Sequence, residues 1–103
     1  MTLNEFMSEL KNLRNSGYAW KCINHVVLRT KLLDNTLMCP ITAVCYYKTG
    51  KLISTSHWQD AADMIELSFL DACGVASAAD CGDDNNPLRT TLLNACGINV
   101  TDQ

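Results

Sequence analysis

Basic residues almost vanish from the second half of this chain: from Leu52 to Gln103 there is one, Arg89, against eight acids. The first 51 residues hold seven Lys or Arg and three acids, so a net charge of −3 conceals halves of +4 and −7. Glycine is sparse too. The five glycines, at 17, 50, 74, 82 and 97, stand singly, which leaves no Gly-rich loop to cradle a phosphate and argues against nucleotide chemistry. No apolar run approaches the ~20 residues of a membrane span, so no membrane partner is expected. The start, Met1-Thr2-Leu3-Asn4-Glu5, has neither the basic region nor the apolar stretch of a secretory signal, and a cytoplasmic protein is the expectation. There is no Cys-x-x-Cys pair, no internal repeat and no low-complexity linker.

What is present fits one globular domain over residues 1–103, since 48% of the residues are hydrophobic and 18% charged. The six cysteines, at 22, 39, 45, 73, 81 and 96, are expected to be free thiols in a reducing compartment.

Residues 2–16 read as a helix: Thr2 and Glu5 have capping-box spacing, and Leu3, Phe6, Met7, Leu10 and Leu13 recur on one face. Aromatic and β-branched residues from Tyr18 to Thr30, interrupted at Asn24-His25, predict two short strands and a tight turn. A lone hairpin is marginal in water, and Leu52-Ile53 is the candidate third strand. A second helix is expected from Cys39, with Pro40 at the first helical position and Gly50 as its stop. A third runs from about Ser56, with Gln59 completing a capping box and Trp58, Ala61, Ala62 and Ile65 facing inward. Ser68 caps a fourth through about Ala79, ended by Gly82, whose small residues permit close helix contact. Asn86-Pro87 opens a fifth, closed by Gly97 with Ile98 placed for a Schellman contact. The expected fold is a mainly helical domain of about five helices with a short β-hairpin near the N-terminus.

The segments Cys39-Pro40-Ile41-Thr42-Ala43-Val44, Trp58-x-x-Ala61-Ala62, Ala78-Ala79-Asp80 and Leu88-Arg89-x-x-Leu92-Leu93-x-Ala95-Cys96-Gly97 resemble a succession found in small bacterial and phage-encoded proteins. The resemblance spans residues 38–97 and carries no assigned activity. It implies a bacterial host cell or phage setting.

Three constellations can carry function. The carboxylates Asp60, Asp63, Glu66, Asp71, Asp83 and Asp84 form the candidate partner-binding surface, suited to a protein with a basic or nucleic-acid-binding face; the bland reading is a solubilising helix surface. Cys39, at a helix N-terminus, is the candidate reactive thiol, and would need His25 or His57 as a base; the bland reading is a buried capping residue, almost silent when changed to Ser. A zinc site would draw on Cys22, His25, Cys39 and Cys45, of which only Cys22-x-x-His25 has ligand-like spacing. Neither a catalytic set nor a cofactor is expected. The helix pair within residues 58–79 has helix-turn-helix spacing, but residues 68–80 contain Asp71 and Asp80 and no Lys or Arg, which disfavours sequence-specific DNA binding.

Overall fold

A computed structural model describes residues 1–24, 26–31, 36–81 and 85–98 and shows a mainly helical domain with a small antiparallel sheet. Helix α1 (Leu3–Asn15) opens with the expected capping box, Thr2 Oγ1 accepting from the Glu5 N–H while a Glu5 carboxylate oxygen accepts from the Thr2 N–H. It ends in a Schellman turn: Gly17 takes φ +100°, and the Tyr18 N–H reaches back to the Leu13 carbonyl at 3.0 Å. Strands β1 (Trp20–Ile23) and β2 (Val27–Lys31) pair antiparallel in the register Ile23 to Val27 and Trp20 to Thr30. Asn24, at φ +53°, lies in the turn between them.

The sheet has a third strand, but not at Leu52-Ile53. Strand β3 is Leu37–Met38, paired antiparallel with β2 through Thr30 to Met38. It immediately precedes helix α2 (Pro40–Thr49), so the chain joins the sheet as it enters the core, while Leu52 and Ile53 follow α2 without strand structure.

α2 is the hub of the molecule. Residues 40–45 are all buried, and the helix touches α1, β2, β3, helix α3 (Trp58–Met64) and helix α4 (Phe69–Asp80). The start of α3 also differs from expectation. Residues Thr55–His57 form a 3-10 turn capped by Ser54, and α3 begins at Trp58 with no side-chain cap, so the Ser56–Gln59 capping box is not formed. Ser54 wins because its hydroxyl already accepts the Ser56 N–H, which tightens the chain one turn early. Ala61 and Ala62 are buried, as are Ile65 and Leu67 just beyond the helix.

Ser68 caps α4 as expected, its Oγ accepting the Asp71 N–H at 3.2 Å. Helix α5 (Pro87–Ala95) starts at the Asn86-Pro87 step and ends in the Schellman turn foreseen for Gly97 and Ile98, with the Ile98 N–H on the Leu93 carbonyl at 2.9 Å. α4 and α5 approach closely where Gly74 lies: a Cβ there would come within 2.9 Å of Leu88 Cδ1. The expected stop at Gly82 lies outside the described residues. Among the described residues no helix is long and apolar enough to cross a membrane.

Candidate functional site

Helix α3 turns Ala61 and Ala62 into the core, so residues at positions 60 and 63 point the other way. Asp60, Asp63 and Glu66 are all exposed. Glu66 closes α3 from the left-handed region at φ +58°, its N–H on the Asp63 carbonyl and the following Leu67 N–H on the Ala62 carbonyl at 2.9 Å. That is a Schellman turn built on a glutamate instead of a glycine. Asp71, half-buried, occupies the first turn of α4, where the helix dipole favours a carboxylate. The structure therefore places Asp60 and Asp63 along the outer side of α3, Glu66 at the α3–α4 corner and Asp71 in the first turn of α4, and none of them forms an ion pair among the described residues. Asp83 and Asp84 lie outside those residues.

Asp80, at the far end of α4, is different: its carboxylate is bound to the Arg29 guanidinium of β2 at 2.8 Å. This pair ties the sheet to α4.

Two features, one at the corner and one at the far end of α4, go beyond the sequence pattern. Phe69 and Leu70, the first two residues of α4, are 64% and 81% exposed, and both side chains stand between Glu66 and Asp71 in the chain. Arg89 is the second. It is only 3% exposed, and its guanidinium donates to the carbonyls of Ala78 at 2.7 Å and Ala79 at 3.5 Å, with the Cys22 sulfur at 3.9 Å. The lone Lys or Arg beyond Leu52 is thus withdrawn from the surface, and the charge imbalance of the sequence is sharper outside the protein than in its composition. Once packing selects Ala72, Val75 and Ala79 as the inward stripe, Leu70 projects from the opposite side of a 3.6-residue helix, but the apolar sequence of α4 does not by itself select that stripe.

Cys39 sits where expected, as the N-cap of α2, and is 6% exposed. Its sulfur accepts the Thr42 N–H at 3.4 Å and lies 3.3 Å from Thr42 Oγ1, while its own N–H donates to Thr55 Oγ1 at 3.2 Å. The neighbour contributed by the 3-10 turn is Thr55, whereas His57 at the end of that turn is exposed. His25 lies outside the described residues. Thr55 also lines an open cleft of ≈ 380 Å³ with Thr36, Leu37, Leu52, Ile53 and Ser54.

The other proposed zinc ligands go to separate places. Cys22 on β1 faces the Arg89 guanidinium, and Cys45 on α2 contacts Thr49 Oγ1 at 3.7 Å and Met64 Sδ at 4.0 Å. Among the described residues no three His, Cys, Asp or Glu side chains come together as a metal site. Burial, then the neighbouring Cys22, pushes the Cys96 thiol well above the usual range.

The helix pair α3–α4 meets at the Glu66 turn, but α4 carries no Lys or Arg to reach bases or phosphates. Comparison with known proteins adds no second line: no family model, no curated protein and no solved structure matches the chain.

Proposed function

We propose that this protein is a small interaction protein that binds a basic macromolecular partner through the carboxylates of the α3–α4 corner. A single observation carries this reading: Asp60, Asp63 and Glu66 are exposed and have no ion-pair partner among the described residues, while Arg89, the one Lys or Arg after Leu52, is buried beneath the surface. A field of one sign steers an oppositely charged surface toward it and raises the association rate. A partner rich in Lys and Arg, such as a protein whose usual ligand is nucleic acid, has the matching chemistry. The resemblance to phage-encoded proteins extends the proposal to an inhibitor of a host system.

The test is affinity capture from a bacterial lysate under reducing conditions with the wild-type chain and with Asp60→Lys, Asp63→Lys, Glu66→Lys combined. The reading expects a stoichiometric partner that the reversed variant fails to retain. A partner retained equally by both proteins sinks it.

A further inference from the structure

Phe69 and Leu70 sit in the first turn of α4, where the helix buries Ala72, Val75, Ala78 and Ala79. At 100° per residue, Leu70 lies roughly 150° from the centre of that stripe and Phe69 roughly 110° from it. Neither can turn inward without rotating the whole helix, and Ser68, whose hydroxyl caps α4, together with the buried Leu67, fixes the entry of the chain. The two side chains are consequently held outside the core at 64% and 81% exposure, the highest of the large hydrophobic side chains among the described residues. A single exposed leucine needs no account, but two adjacent apolar side chains fixed on a helix end do. Glu66 and Asp71 bracket them in the chain, and the Met1 ammonium, a cation placed beside Glu66, donates to the Glu66 backbone carbonyl and leaves the carboxylates unpaired among the described residues.

We infer that Phe69 and Leu70 are the apolar anchor of the binding surface, and that the occupant is a partner protein presenting an apolar pocket rimmed by Lys or Arg. This rests on the carboxylate surface proposed above and names the partner's chemistry. Interfaces concentrate their energy in a few large apolar side chains inserted into desolvated pockets, with polar and charged groups around them. Here Glu66 and Asp71 stand on either side of the pair in the chain, with Asp63 one turn before Glu66. Charge then decides between occupants. A symmetric second copy would bring Glu66 and Asp71 of both chains against each other, and an anionic lipid surface would meet the same repulsion. A pocket with a cationic rim satisfies both parts of the surface at once.

Neutral β-cyclodextrin and its amino-substituted, polycationic form reproduce that pocket in miniature, the first offering an apolar cavity and the second the same cavity ringed by ammonium groups. Titration of each into the isotopically labelled protein, followed by NMR, should shift Phe69 and Leu70 with both probes. The cationic form should bind on the order of threefold to tenfold tighter at low salt. The excess should disappear in Asp60→Asn, Asp63→Asn, Glu66→Gln, and both titrations should disappear in Phe69→Ser, Leu70→Ser. Leu70→Ser alone, at the more exposed position, serves if the double variant does not fold. Absence of shifts at Phe69 and Leu70, or shifts that survive their replacement, overturns the anchor and leaves the carboxylate reading to the capture experiment. Equal affinity for the two probes overturns the cationic rim and speaks against the carboxylate reading itself. Signals at residues 69 and 70 that move with protein concentration alone make a second copy the occupant and overturn the inference.

Discussion

The guanidinium of Arg89 closes the end of α4 by donating to the carbonyl oxygen of Ala78 at 2.7 Å. The last carbonyls of a helix have no partner within it and carry the negative end of its dipole, so a cation there satisfies an acceptor and a field together. Because this cation is buried, its contribution is little screened by solvent.

Arg89→Met should therefore lower stability by about 2–3 kcal/mol, since it leaves the Ala78 and Ala79 carbonyls without their donor. Arg89→Lys should cost less, because an ammonium can keep one of the two bonds. Urea denaturation checks both: the midpoint should fall in the order wild type, Lys, Met with the slope unchanged.

The thiol of Cys39 works as a cap. Cys39→Ser should keep stability within ~0.5 kcal/mol, because a hydroxyl accepts the Thr42 N–H at least as well, whereas Cys39→Ala should lose about 1 kcal/mol. Partner capture should be unchanged in the serine variant; loss of capture with intact folding would make the sulfur itself functional.

Glu66 occupies a left-handed position that glycine adopts without strain. Glu66→Gly should raise stability by about 1 kcal/mol, measured as a higher thermal midpoint, while weakening partner binding through the lost carboxylate. Opposite signs for stability and binding are the expected signature of a residue kept for its charge.

Alkaline pH provides a separate test. Burial raises the Cys96 thiol in the folded protein, so above about pH 8.5, where an exposed thiol ionises, the unfolded state gives up its proton first. Fewer protons bound in the unfolded state mean that stability falls as pH rises, by up to about 1.4 kcal/mol per pH unit from this one group. The contribution is fully present below pH 8.5 and is lost above it. Cys96→Ala should flatten the decline of the urea midpoint between pH 8.5 and 10, and an unchanged slope would contradict the assignment.

The parts of this fold legible in the sequence are those written in adjacent residues. Thr2 with Glu5, Cys39 before Pro40, Ser68 before Asp71, Asn86 before Pro87 and Gly97 before Ile98 each mark a helix end because the cap and the group it satisfies are neighbours. Pairings across space were not legible. A two-residue strand has no periodicity to betray it, so the sequence points to Leu52-Ile53 and gives no sign of Leu37-Met38, which the chain's path beside β2 makes the third strand. Arg89 shows the same limit, its acceptors lying ten and eleven residues away across the turn before α5. At the candidate site the acidic side of α3 followed from 3.6-residue spacing, but α4 is apolar around most of its circumference, and only its packing against α5, α2 and β2 decides that Phe69 and Leu70 face out.

The most direct measurement is hydrogen exchange on the complex recovered by capture, compared residue by residue with the free protein. The account predicts new protection over residues 58–73, centred on Glu66 to Asp71, with little change in α1, β1 and β2. Protection confined to α1 and the sheet, with the α3–α4 corner exchanging as in the free protein, would contradict it.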